Sequence, residues 1–383
     1  MDRITKAELE ELISLPFKAT DQKPILVPIK SAHISGISYL NIGDAGIALL
    51  SEFVNSGLTV SVPTTMNPGF VEVSDVTEKT CDDETFQKQM QIIELLKKLG
   101  ITPSLTCIPY FQGNVPEPGD HLAWAESSAV LYVNSIIGAW SNKESGIGAL
   151  ASAIMGFAAD IGVHRPEGRR PELRVRYEGT LSNELEAGAL GYLIGKRAGD
   201  KIHYIEADGI EKGQGRIIEY LAAFGTSGLA PIASIKGISP IQPEQSGAGL
   251  EELFISEKQV KSTIEELSSE NEPEAIVIGC PHAGFDVLRT IVEHDQPFRV
   301  PTFVFSSASV KGTAAKAGLI KRGGKVGIRV VADSCIMWCG LRTMGITAVV
   351  TNSVKAAYYL SHQMKIKVKL KPLNEILGGN GID

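Results

Sequence analysis

The stretch VVADSCIMWCG, from Val330 to Gly340, decides how the chain is read. It closes a short apolar run, KVGIRVVAD, bounded by glycine and aspartate. Such a run reads as a strand buried on both faces. Cys335 follows it directly. The pattern recurs: Cys280 closes EAIVIGC (Glu274–Cys280), and Cys107 closes PSLTC (Pro103–Cys107). Three of the five cysteines therefore stand at, or just past, the carboxyl end of an expected strand. In open α/β sheets that edge is where ligands bind.

Working outward, apolar runs alternate with amphipathic stretches along most of the chain. PILVPI, LTVSVP, KIHYIEA, GLAPIASI, PTFVFSS and ITAVVTN read as further strands. Between them DDETFQKQMQIIELLKKLG (Asp82–Gly100) and EELFISEKQVKSTIEELSSE (Glu251–Glu270) read as helices. The alternation implies an α/β architecture of mainly parallel sheets flanked by helices. VHRPEGRRPELRVR (Val163–Arg176) reads as a charged surface connection and SSENEPE (Ser268–Glu274) as a polar link. Three α/β domains are expected, over residues 1–165, 166–270 and 271–383.

With 383 residues, 43% hydrophobic and 21% charged, the chain has the composition of a globular protein. A formal charge of −7 argues against a general grip on nucleic acid, which needs a basic face. No run of about 18 apolar residues points to a membrane span. The charged opening MDRITKAELEELISL lacks the features of a secretory signal, so a cytoplasmic location is expected. Five cysteines in a large intracellular chain do not imply a disulfide framework.

Three soft thiolates meeting in one crevice suit an iron–sulfur cluster or zinc. Three ligands rather than four leave a metal position open for substrate. The competing reading for each is a small buried hydrophobe. Cys81, among acids at a helix start, reads as a surface or capping residue, and Cys339 as a packed thiol. Glu126 lies in an apolar run, GDHLAWAESSAVLYVNSIIGA (Gly119–Ala139), that reads as one helix; a carboxylate there is costly unless paired or used. His121 reads equally as a helix-start polar residue, and His282 as a proton carrier or a hydrogen-bonding neighbour. The glycine- and serine-rich SAHISGISYLNIGDAG (Ser31–Gly46) offers backbone N–H groups to an anion. Lys355, in the first turn of a helix after VVTN, opposes the helix dipole, which favours an anionic substrate as its partner.

In order along the chain, VPIKSAHISGISYLNIGDAG, VPTTMNP, TCIPY, GDHLAWAESSAV, GTLSNELEAGALG, GCPH, DSC and TNSVKAAYY resemble the aconitase X family of iron–sulfur hydro-lyases. The resemblance implies an aconitase-like multi-domain fold. It implies that Cys107, Cys280 and Cys335 hold a 4Fe–4S cluster with one open iron. It implies that Gly36, Ile37, Ser38, Asn67, Pro68, Glu126, Ser127 and Lys355 line the substrate, with Glu126, Ser127 and Lys355 taking part in catalysis. The chain stops soon after KPLNEIL, without the small swivelling domain, which resembles the archaeal two-subunit branch. A heterodimer with a small subunit is expected, acting on a phosphorylated hydroxy acid. The implied reaction takes (R)-5-phosphomevalonate to trans-anhydromevalonate 5-phosphate in a modified mevalonate route to isoprenoids. The alternatives are dehydration of cis-3-hydroxy-L-proline and a zinc-stabilised scaffold subunit without catalysis.

Overall fold

The computed structural model describes residues 3–19, 24–73, 81–211, 213–241, 249–294 and 296–378. The N-terminal region holds β1 (Leu26–Pro28), β2 (Ser31–Ile34), β3 (Thr64–Met66), β4 (Leu122–Trp124) and β5 (Phe157–Ala159). β1 and β5 form an antiparallel pair; the rest form a parallel sheet ordered β3-β2-β4. The middle region holds β6 (Leu173–Thr180), β7 (His203–Asp208), β8 (Ala233–Ile235) and β9 (Glu251–Ser256), a parallel sheet ordered β8-β7-β6-β9. The C-terminal region holds β10 (Ala275–Ile278), β11 (Thr302–Ser306), β12 (Ile328–Ala332), β13 (Ala348–Thr351) and β14 (Lys367–Leu370). Their order is β12-β11-β10-β13-β14, parallel throughout.

β10 (AIVI) and β11 (TFVFS) are buried at every position, as strands covered on both faces must be. The strand order reverses at β10: β11 and β12 extend one way, β13 and β14 the other. The loops leaving β10 and β13 diverge and open a crevice between them, the switch point where such sheets bind ligands. Cys280 lies just beyond β10, and Lys355 just beyond β13.

Several expectations change. The last four residues of the expected surface connection Val163–Arg176 belong to β6, whose burial alternates along LRVRYEGT. Its outward-facing charges hid a period of two. The expected helix Glu251–Glu270 begins as β9, and the helix proper is Glu257–Leu267, started by a capping box of Ser256 and Gln259. The expected helix Gly119–Ala139 begins as β4; Glu126 caps the helix Ser127–Tyr132 that follows. A short buried strand and a buried helix share one apolar composition, so periodicity does not separate them. Leu58–Pro63 and Pro103–Cys107 form no strand; only Thr102 makes an isolated bridge, to Thr65. The helix after Cys280 starts at Phe285, and the Cys280–Pro281 peptide is cis.

Cys81 and Cys339 are neither a capping residue nor a packed thiol: they form a disulfide across 258 residues of sequence. The acids beside Cys81 penalise a thiolate, whereas a disulfide carries no charge to repel. Cys107, Cys280 and Cys335 are free. Alkylation of the denatured chain without reductant is expected to label three cysteines, and five after reduction, read by mass spectrometry.

Candidate active site

The carboxyl ends of two sheets open onto one cavity of about 370 Å³. Residues 35–38 after β2, 67–70 after β3 and 125–127 after β4 line one side. Residues beyond β10, β12 and β13 line the other. All the expected residues meet there: Gly36, Ile37, Ser38, Asn67, Pro68, Cys107, Glu126, Ser127, Cys280, Cys335 and Lys355. Cys107 arrives by a different path from the expected one. It stands on irregular chain held beside β3 by Thr106 N donating to Met66 O at 3.3 Å. His121 stays outside, with Nδ1 2.8 Å from Nδ1 of His164 and its ring tilted against Trp140.

The electrostatic centre is a buried ion pair. Lys355 Nζ lies 2.6 Å from Glu126 Oε1, with side-chain exposures of 8% and 12%. Lys355 also donates to Ser128 Oγ at 3.2 Å. Glu126 accepts from Ser128 Oγ at 2.8 Å and, through Oε2, from Asn67 Nδ2 at 2.6 Å. Burial pushes the Glu126 carboxyl up, but the Lys355 ammonium and these hydrogen bonds outweigh it and hold it near 2. For Lys355, burial disfavours the charge, but Glu126 foremost, with Cys280, Tyr359 and Cys107, together raise it well above the ordinary lysine range. The lysine is therefore held by a carboxylate from the opposite sheet rather than poised alone against the helix dipole.

A further chain orients Asn67. Burial depresses His33 to about 4, so its ring is neutral. Asn67 gives its amide N–H to Glu126, so its Oδ1 accepts from His33 Nε2 at 2.7 Å. His33 Nδ1 then accepts from Thr65 Oγ1 at 2.8 Å. Thr65 Oγ1 in turn accepts from Asn114 Nδ2 at 2.9 Å. On the other flank Gln89, fully buried, takes Tyr39 N–H at 2.9 Å and gives its amide to Ile37 O at 3.2 Å, bracing the loop that carries Gly36–Ser38. Gly69 admits it: a Cβ there would stand 2.7 Å from the Gln89 amide carbon. Ser38 precedes the helix Tyr39–Asn55, which is kinked at Gly43, and its buried hydroxyl has no partner among the described residues. Sequence reasoning missed His33, Gln89 and Ser128. For His33 and Gln89 no local signal existed; Ser128 stood two residues from a flagged acid.

Around the cysteines, His282 N donates to Cys107 Sγ at 3.2 Å. Burial depresses the His282 ring to about 4; it is neutral, and Nε2 donates to Ser334 O at 2.9 Å. Burial, reinforced by Glu126, pushes Cys107 up to about 12, and burial raises Cys335 and Cys280 as well. Gly279 makes the turn into Cys280 with φ +110°, where a Cβ would lie 2.2 Å from Phe305 O.

Models of the first, second and third aconitase X domains match residues 6–167, 171–265 and 273–379. The chain belongs to the aconitase X family. It is 35% identical over 339 residues to the phosphomevalonate dehydratase large subunit of Thermococcus kodakarensis, covering 87% of this chain and 85% of that one. It is 28% identical over 372 residues to the cis-3-hydroxy-L-proline dehydratase of Pseudomonas aeruginosa, covering 92% of this chain but 63% of that one. The crystal structure of Thermococcus kodakaraensis aconitase X in its holo-form superposes with a TM-score of 0.88 at 32% identity, over 97% of this chain and 95% of that chain.

In this aconitase X chain, removing one partner of the Glu126–Lys355 pair leaves a buried unpaired charge. Lys355→Met is expected to destabilise the fold by about 3–5 kcal/mol in urea unfolding, and Glu126→Gln in the same chain to restore part of it. The Glu126 carboxyl is depressed on folding. Its contribution is therefore present above the ordinary carboxylate range and is lost as pH falls toward 2. An acid titration followed by circular dichroism is expected to show that limb in the wild type and not in the double variant.

Proposed function

We propose that this chain is the large, catalytic subunit of a two-subunit hydro-lyase that dehydrates (R)-5-phosphomevalonate to trans-anhydromevalonate 5-phosphate. The observation that carries the reading is the meeting of three free cysteines with the Lys355–Glu126 pair on one cavity. The relatives named phosphomevalonate dehydratase large subunit support the substrate and the existence of a small partner. In the hydroxyproline enzyme the matched part is 63% of the length, so that relative carries further sequence besides it. In this reading a small swivelling-domain subunit closes over the cavity.

The donor set fits an iron–sulfur cluster with Cys107, Cys280 and Cys335 as its thiolates. Among the described residues no three His, Cys, Asp or Glu side chains group as ligands of a single ion. A multi-iron cluster takes its thiolates from separate corners, and Cys107, Cys280 and Cys335 all line the one cavity. The raised thiols must lose protons on binding, so loading is coupled to proton release. When bound, the cluster would supply Lewis-acid chemistry for departure of the hydroxyl.

The chain's own groups do the positioning. Dehydration breaks a C–H and a C–O bond and releases water. Glu126, held ionised by Lys355, orients substrate together with Ser127. Lys355 neutralises an anionic group of the substrate. The Ser38 hydroxyl, buried and without a hydrogen-bond partner among the described residues, precedes the short helical turn that ends at Gly43 and offers a donor to another.

Reconstitution with the small subunit tests this. Wild type is expected to bind iron and sulfide, absorb in the visible, and dehydrate phosphomevalonate in preference to cis-3-hydroxy-L-proline. Cys280→Ser is expected to lose the cluster and the activity together. Unchanged iron content in that variant, zinc in place of iron and sulfide, or turnover of hydroxyproline alone would overturn the reading.

A further inference from the structure

We propose that Glu72 is a positioning residue for the third cluster cysteine, setting Cys335 against the substrate-facing residues Asn67 and Pro68. The inference rests on the iron–sulfur reading of the cavity. Residues 67–70 leave β3, line the cavity, and then run along the loop that follows β12. Two backbone hydrogen bonds join the two segments: Cys335 N donates to Gly69 O at 2.8 Å, and Cys339 N to Phe70 O at 3.0 Å. These bonds fix the spacing of the segments. They hold neither segment to the sheet behind them.

Glu72 adds a side-chain attachment to that sheet, beside the backbone bond from Asp333 N to Ser306 O at 2.9 Å. Its side chain is 1% exposed, and its carboxylate reaches three separate places on the C-terminal region. Oε1 accepts from Lys311 Nζ at 3.0 Å and from Ala332 N, the last residue of β12, at 3.1 Å. Oε2 accepts from Arg329 Nη2 at 2.9 Å. The Arg329 guanidinium lies 5.1 Å from the ring centre of buried Trp338, inside the loop that carries Cys335 and Cys339. One carboxylate thus ties the end of β12, the cation beneath the cysteine loop and the helix Ala308–Lys316 to the segment bearing Asn67 and Pro68. The Lys311 and Arg329 side chains flanking it are each about three-quarters buried, so a neutral side chain would remove the carboxylate they share. Groups that orient a metal ligand typically change metal retention by about 10- to 100-fold when replaced.

The test uses the assembled two-subunit protein loaded with its cluster. Glu72→Gln keeps an acceptor for Ala332 N but loses both ion pairs. It is expected to release iron to a chelator about 10- to 100-fold faster than wild type, followed by bleaching of the visible absorbance. The electron paramagnetic resonance spectrum of the reduced cluster is expected to shift. Glu72→Asp, which keeps the charge on a shorter arm, is expected to fall between the two. Glu251→Gln, which removes the exposed pair with Lys201 on the edge strand β9, is the control and leaves both readouts unchanged. If Glu72→Gln does not fold, Arg329→Gln takes its place, with a smaller change in the same direction. Release rates and spectra equal to wild type in the folded variant overturn the proposal. Wild-type loading is measured first. A wild type that takes up no iron and sulfide sinks the functional reading and this inference with it; normal loading with unaffected variants sinks this inference alone.

Discussion

The ion pair between Lys355 and Glu126 joins parts of the chain 229 residues apart, and the cavity depends on it. Glu126 follows β4 in the small N-terminal sheet; Lys355 follows β13 in the C-terminal sheet. A buried pair gains little if either charge keeps unsatisfied valences, because desolvation then exceeds the attraction. Here Asn67 and Ser128 fill the remaining positions on the carboxylate. The pair is specific as well as tolerable: it can form only when the two carboxyl edges come together in one register.

Around that pair, buried polar side chains brace the loops that line the cavity. His33 is kept neutral by burial, so its two nitrogens have opposite roles and dictate which way Asn67 turns. Gln89 braces Ile37 and Tyr39 through both ends of its amide. Glu72 does for the cysteine loop what Gln89 does for the glycine-rich loop. In each case a buried group with fixed hydrogen-bond polarity removes freedom from a loop that would otherwise need its ligand to order it.

How much of this was legible depended on the range of the signal. Cys280 and Cys335 could be placed at strand ends because β10 and β12 are buried on both faces and read as unbroken apolar runs. Lys355 could be placed because its helix starts directly after such a run. β6 and β9 were hidden, since each carries charged residues on an exposed face or edge and imitates connection or helix. β4 was absorbed into an apolar stretch that suits either structure. Cys107 was assigned the right neighbourhood for the wrong reason: irregular chain held alongside β3 brings it in, not a strand of its own.

The sequence alone determined the alternation of buried strands with amphipathic helices, the parallel α/β class that follows, and the chemical types available at the strand ends. These are local properties, written in the periodicity of neighbouring residues. Tertiary structure alone decided that the free thiols open onto the same cavity as a charge-paired lysine, that Cys81 and Cys339 are bonded to each other, and that Glu72 anchors the third cysteine's loop. Each of those facts joins residues far apart in the chain, and only the packing of separate sheets brings such atoms within hydrogen-bonding, ionic or covalent reach.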